Sequence, residues 1–306
     1  MNITGIILAE GKTMPLTEKR AAGALPFAGR YRQVDFALSN LSYAGVRQVG
    51  LVARKNYQSL IHHVGSGEEW GLQMAEGGLS YLTPFATEPT AVMDFLDYGD
   101  PRGLVALVDG SVVCNLDLQK IVTAHLRSGK DITRVEKDGK SVGIYLMKKS
   151  RLIQLLRGKA APGTEHIFDY RGLVLRNRTV EEYFRNSLRL TEGGVQRELF
   201  GGCHPVYTRV RDRVPTYYGE DCRLENCSVA DGCRLEGQVK NGVLFRNVTV
   251  QPGAQVENCV ILNDTVVGEK AILKNVILDK DVVVRPGACL MGTAEAPVYL
   301  GRGAVV

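Results

Sequence analysis

Four stretches in the last third of the chain repeat one spacing: an apolar residue, a small residue four places on, and a second apolar residue two places beyond that. They are Val229…Cys233…Leu235, Val250…Ala254…Val256, Val267…Ala271…Leu273 and Val284…Ala288…Leu290, and the last three start 17 residues apart. Seventeen is one short of three hexapeptides. Such a period predicts a coil with three short faces, in which apolar residues stack inward and small residues occupy tight corners. From about Tyr217 helical periodicity disappears, and short Val/Ile/Leu/Cys runs alternate with Gly, Asn and Asp. An antiparallel sandwich also uses short strands, but nothing in it demands a sixfold spacing. The expectation for residues 218–306 is a left-handed parallel β-helix. The chain has seven cysteines, none in a C-x-x-C pair, and Cys222, Cys227 and Cys233 are spaced by five and six residues. No histidine follows His204, so a zinc knuckle is not expected. Cys222, Cys233 and Cys289 fall in or beside the corner slots and read as packed, reduced thiols.

The first 200 residues have another texture. Short apolar runs at 3–9, 48–53 and 103–108 alternate with helical patterns at 35–44, 58–64 and 118–127, which predicts a mostly parallel sheet covered by helices. A further amphipathic helix is expected over 180–190, with Thr179 as its cap and Glu182 at the capping-box position. Residues 201–217, with Pro205, Pro215 and charged turns, read as a linker. The domain expectation is therefore an α/β unit over 1–200, a linker over 201–217 and the β-helix over 218–306. No window approaches the roughly 18 uninterrupted apolar residues of a membrane span, and residues 3–9 are a strand's length, so a cytoplasmic protein with no membrane partner is expected. The net charge of +5 is spread along the chain without a basic helix, which gives no reason to expect a nucleic-acid partner.

The stretch from Gly5 to Asn40 carries the functional reading. The run Ile6-Ile7-Leu8-Ala9 feeds a loop containing Gly11, then Pro15-Leu16-Thr17, Pro26-Phe27 and an amphipathic segment. That is the layout of a first strand leading into a phosphate loop. It resembles the start of the glucose-1-phosphate adenylyltransferase (ADP-glucose pyrophosphorylase) family, which reads L-A-G-G-x-G-x-R-L-x-P-L-T and then R-A-K-P-A-V-P-F-G-G-x-Y-R-I-I-D-F-x-L-S-N. The resemblance covers nearly the whole chain apart from a shortened middle. It implies a Rossmann-like, GT-A-like nucleotidyltransferase sheet domain followed by the β-helix.

In that family ATP and glucose 1-phosphate give ADP-glucose and pyrophosphate. Catalysis needs positioning, Mg²⁺ on carboxylates and cations that meet the charge on pyrophosphate. The resemblance carries these groups onto positions that have changed. The glycine cradle becomes Ala9-Glu10-Gly11-Lys12, in which Glu10 would oppose phosphate and no arginine precedes Pro15. The family's lysine in R-A-K-P-A falls on Ala22. Its first metal aspartate falls on Gly110, next to Asp109, and its second falls on Arg176. Glu136-Lys137 echoes an E-K-P lysine that holds the sugar phosphate, although Lys137 also reads as a solvated loop lysine. Ser141-Val142-Gly143-Ile144-Tyr145 is similar to S-M-G-I-Y, but only 33 residues separate Gly110 from Gly143, fewer than in the family. Each lost electrostatic group costs about 10²–10³ in rate. No metal site and no cofactor is therefore expected, and Ala9, Glu10, Gly11, Lys12, Asp109, Lys137 and Gly143 read as a vestigial pocket.

Lys19, Arg20 and Arg32 match family positions that line an anionic effector pocket, and three cations suffice to recruit a bisphosphate; they also read as surface or subunit-contact cations. Phrases such as Lys55-Asn56-Tyr57-Gln58-Ser59-Leu60, Cys114-Asn115-Leu116-Asp117 and Leu278-Asp279-Lys280-Asp281-Val282 are similar to the family's GlgD-type subgroup. That resemblance implies a regulatory, non-catalytic subunit in glycogen synthesis, assembled with a catalytic glucose-1-phosphate adenylyltransferase subunit and responsive to a phosphorylated sugar or other anion. Two readings compete with it. One is an active sugar-phosphate nucleotidyltransferase with a rearranged Mg²⁺ site built on Lys12, Asp109 and Lys137. The other is a hexapeptide acyltransferase, which would need a histidine base that residues 205–306 do not contain.

Overall fold

The computed structural model describes residues 2–73, 77–82, 88–97, 103–159, 161, 163–210 and 212–306. Eleven strands belong to the first unit: β1 (Ile3–Leu8), β2 (Pro26–Phe27), β3 (Tyr31–Arg32), β4 (Gln48–Val52), β5 (Gly78–Leu82), β6 (Leu104–Asp109), β7 (Val112–Val113), β8 (Ile132–Lys137), β9 (Lys140–Lys148), β10 (Glu165–Asp169) and β11 (Leu175–Arg176). Seven of them form one sheet in the order β10-β8-β9-β6-β1-β4-β5. Only β9 runs against its neighbours, so the sheet is mostly parallel. The near-continuous apolar runs of β1 and β6 follow from burial on both faces, with Ile6, Ile7 and Val105 fully enclosed. The β8–β9 hairpin closes through Asp138 (φ 50°) and Gly139 (φ 70°), the paired left-handed residues that a tight turn needs.

Helices α1 (Gln33–Tyr43), α2 (Gln58–Val64), α3 (Glu88–Asp97), α4 (Leu118–Ser128), α5 (Lys149–Leu156), α6 (Val180–Leu188) and α7 (Gly193–Phe200) surround the sheet and its edges. At the start of α1 the fully buried Asp35 carboxylate accepts the Arg32 amide at 2.9 Å and contacts His63 Nε2 at 2.6 Å. Thr179 caps α6, its Oγ1 accepting the Glu182 amide at 3.2 Å. The expected reciprocal bond is displaced by one residue: the Glu182 carboxylate accepts the Arg178 amide at 2.8 Å, not that of Thr179.

The last unit is a parallel β-helix. Its first face stacks Tyr217–Tyr218, Arg234–Leu235, Thr249–Val250, Val266–Val267 and Val283–Val284, giving successive coils of 17, 15, 17 and 17 residues. The long strands Gln255–Ile261 and Ile272–Leu278 cross a corner and serve the other two faces. Two corrections to the repeat follow. The stretch Val229…Cys233…Leu235 turns a different edge from the other three, because all three faces obey the same sixfold rule. The tight φ-positive position lies one residue before the small one, at Gly253, Lys270 and Gly287. Another corner is a ladder of φ-positive asparagines, with Asn241 Nδ2 donating to Asn258 Oδ1 at 3.0 Å and Asn258 Nδ2 to Asn275 Oδ1 at 3.3 Å. Asparagine tolerates that backbone and bonds to its copy one coil away.

The two units share a core. Phe27, Phe36, Tyr183 and Phe184 pack with Val243, Phe245, Leu262 and Ile277 of the β-helix. Residues 201–210 run along α1: Tyr207 donates its amide to Ser39 Oγ at 2.9 Å, and His204 Nε2 lies 3.0 Å from Asn40 Oδ1. No helix among the described residues is long and apolar enough to cross a membrane.

Candidate functional site

Ligands of open parallel sheets sit beyond the carboxyl ends of the strands. Here the ends of β1 and β6 meet in a knot of small residues. Gly23 donates its amide to the Ala9 carbonyl at 2.9 Å, and Gly110 donates to Leu8 at 2.8 Å. A Cβ at Gly110 would lie 2.7 Å from Ile7 Cγ2 and 3.2 Å from the Leu8 carbonyl oxygen. Position 110 therefore has no room for a carboxylate side chain. Gly11 is equally close to Ala22, where an added Cβ would come within 2.8 Å of the Ala22 methyl. Ala22 thus faces the loop and offers it no charge.

Glu10 does not project into a phosphate cradle. Its carboxylate accepts the amides of Arg54 and of Lys55, the latter at 3.2 Å, and the Arg54 guanidinium Nε lies 3.2 Å away. The chain's own anion thereby occupies backbone donors beyond β4. Lys12 is exposed. Asp109 Oδ1 accepts the amide of Ser111 at 2.9 Å and its hydroxyl at 2.7 Å. Gly143, at φ 84°, packs against the same aspartate, and an added Cβ would lie 2.8 Å from Asp109 Cβ. Arg176 donates to the Ser141 carbonyl, and burial followed by Arg178 holds its guanidinium below the ordinary value. Lys137 Nζ donates to the Gly172 carbonyl at 2.5 Å. Mg²⁺ at such sites is held by one or two free carboxylates together with substrate phosphates. This donor set offers one, already bonded to Ser111 and electrostatically coupled to Arg176, and it does not fit Mg²⁺. Among the described residues no group of three His, Cys, Asp or Glu could hold a metal.

The second candidate constellation lies at the seam with the β-helix. Arg20 donates twice from Nη2 to Asp279, at 2.7 and 2.9 Å, and both side chains are buried. Tyr299 Oη adds a bond to Asp279 at 3.0 Å. Lys19 and Arg20 line a cavity of about 340 Å³ with Arg302 and Tyr299. Arg32 donates to Ser59 at 2.7 and 2.9 Å and faces a smaller recess of about 50 Å³ with Arg246 and Lys280. The three cations singled out in sequence are thus divided between two recesses. Lys280 is coupled to both, and burial, then Arg32 and Arg20, push its ammonium down to about 8. Leu278-Asp279-Lys280-Asp281 carries a subgroup resemblance, but nothing in its local pattern marks Asp279 or Lys280 as part of a site. Arg20 and Asp279 are 259 residues apart, and no local pattern could have paired them.

Residues 4–142 match the nucleotidyl transferase family, and residues 214–295 match the GlmU-like, C-terminal hexapeptide family. The chain is 35% identical over 315 residues to the glycogen biosynthesis protein GlgD of Bacillus subtilis, covering 95% of this chain and 92% of that protein. It is 34% identical over the same shares to the glycogen biosynthesis protein GlgD of Geobacillus stearothermophilus. It is 24% identical to the glucose-1-phosphate adenylyltransferase of Thermosipho melanesiensis, over 84% of this chain and 78% of that protein.

Proposed function

The chain belongs to the GlgD family of glycogen biosynthesis proteins, and we propose that it serves glycogen synthesis as a regulatory subunit without catalytic turnover of its own. Its relatives' names support the association with glycogen synthesis. The observation that carries the non-catalytic reading is the strand-end knot: Gly110 has no space for a metal-binding side chain, and Arg176 brings a cation to the position of the second carboxylate. The partner in this reading is a catalytic glucose-1-phosphate adenylyltransferase subunit, joined in a hetero-oligomer. The seam cavity with Lys19 and Arg302, and the neighbouring recess with Arg32 and Lys280, would take a phosphorylated sugar or related anion as effector. Charge-assisted bonds from several cations are the chemistry that selects such ligands.

The test is pyrophosphate release from ATP, glucose 1-phosphate and Mg²⁺, measured for this chain, for a catalytic subunit from the same source, and for their mixture. The expected result is no turnover by this chain and a changed rate or effector response in the mixture. Turnover by the isolated chain would overturn the reading and direct attention to Lys12, Asp109 and Lys137. A mixture no different from the catalytic subunit by itself would remove the regulatory role.

A further inference from the structure

The faces of the β-helix are used unequally. Val243, Val260 and Ile277 commit one of them to the core shared with the first unit. The next face stacks Arg223–Glu225, Gln238–Lys240, Gln255–Glu257, Ile272–Lys274 and Cys289–Met291 in parallel register. Strand alternation turns Val239, Val256 and Leu273 inward, where they are buried, and sets the residues on either side of them outward in two columns. A groove of about 680 Å³ lies on this face.

One column reads Glu225, Lys240, Glu257, Lys274 and Met291, so its charge alternates coil by coil. Lys240 Nζ lies 2.9 Å from Glu225, and Lys274 Nζ lies 3.0 Å from Glu257. These pairs still leave the four side chains between 42 and 60% exposed. The other column reads Arg223, Gln238, Gln255, Ile272 and Cys289. Ile272 and Met291, toward the last coil, are exposed apolar side chains.

The alternation has a symmetry consequence. When the coil order is reversed about a point midway between the second and third coils, Glu225 falls on Lys274 and Lys240 falls on Glu257. An isologous contact makes this reversal if its two-fold axis lies parallel to the strands. Each column then meets its own copy. Gln238 faces Gln255, two amides that can exchange hydrogen bonds, and the alkyl stem of Arg223 lies over Ile272. An axis along the coils would instead set Lys274 on Ile272 and Lys240 on Gln238. The antiparallel arrangement gives every charge of the column an opposite partner.

We propose that this face is an interface between two copies of this chain, packed antiparallel about that axis. Five coils at about 4.8 Å each make a short contact. It is smaller than a standard interface, so the dimer is weak and sensitive to salt. The proposal goes beyond the regulatory reading and does not depend on it, because the contact is measured on this chain by itself.

The test is sedimentation equilibrium of the full chain from about 5 to 200 µM, in low salt and in about 0.5 M NaCl. The parent should form a dimer that grows with concentration in low salt and is lost in high salt. Lys240→Glu with Lys274→Glu makes the charged column uniformly acidic and should weaken association about tenfold or more. Lys120→Glu with Lys130→Glu changes the net charge equally on exposed residues of α4 and the turn after it, and should leave association unchanged. The combination Glu225→Lys, Lys240→Glu, Glu257→Lys and Lys274→Glu restores the alternation with reversed sign. That chain should dimerise with itself but not with the parent, where like charges would meet. All these side chains are exposed, so circular dichroism should match the parent throughout. A parent that stays monomeric, a dimer that survives Lys240→Glu with Lys274→Glu, or a dimer abolished by Lys120→Glu with Lys130→Glu would overturn the proposal. So would a sign-reversed chain that fails to self-associate or that pairs with the parent. A face engaged only after a catalytic glucose-1-phosphate adenylyltransferase subunit is added would overturn it too, and would assign the face to that subunit.

Discussion

At the residue scale the most informative side chain is Lys280. It is half-buried at the seam, and burial followed by Arg32 and Arg20 lowers its ammonium from 10.5 to about 8. A base depressed in the folded state binds fewer protons there than in the unfolded chain. Between about pH 8 and 10.5 the unfolded chain therefore holds the extra proton, and stability rises with pH through that window. Below pH 8 the lysine is charged in both states, and the penalty, on the order of 3 kcal/mol, is fully present. Replacing the group removes both the penalty and the slope. In urea titrations without phosphate, Lys280→Met should be more stable than the parent at pH 7, and the difference should shrink as pH rises toward 10.5. A difference that stays constant with pH would contradict the assignment.

At the element scale the β-helix corners carry the clearest energetic statement. Asn258 holds φ at 50° and bonds to Asn241 above and Asn275 below. Alanine there loses both ladder bonds and accepts a left-handed backbone, for a combined cost of about 2–3 kcal/mol. Glycine loses the bonds but adopts the conformation freely, so Asn258→Gly should be the milder change in chemical denaturation. If glycine proves equal to or worse than alanine, the corner is not held by backbone preference. These corners also mark how far sequence could be read. The sixfold spacing announced a parallel coil because inward residues must recur wherever strands stack. It could not say which edge a given repeat turned, since every face obeys the same spacing. The asparagine ladder was invisible for a related reason: it depends on register between coils. Much the same holds at the strand ends. The loss of charge at Ala22 and Arg176 was legible, because residue type alone decides it. The closure around Gly110 was not, because it depends on where Ile7 and Leu8 carry their atoms. Glu10 read as an obstacle to phosphate, and only the fold brings the Arg54 and Lys55 amides to it.

For the whole molecule the decisive feature is the core that both units build. Tyr183 is fully enclosed, donating to the Pro26 carbonyl at 2.9 Å while packed in a cluster that includes Phe245 and Ile277. The buried Arg20–Asp279 pair crosses the same seam, and breaking one partner of such a pair costs about 3–5 kcal/mol. Coupling of that size predicts one unfolding transition. The single tryptophan, Trp70, lies buried in the first unit and reports on it alone, whereas circular dichroism reports on both. The two signals should share one urea midpoint; separate midpoints would mean the units melt independently. The shared core also bears on how genes of this kind could be recombined. A crossover placed in the connecting segment near residue 210 exchanges a hexapeptide unit whole, yet it would set α6 and Pro26–Phe27 against a foreign coil surface. A viable chimaera must carry its matching partners for Tyr183, Phe184 and Arg20 along with the transplanted coils, so the unit of inheritance is the seam and not the domain.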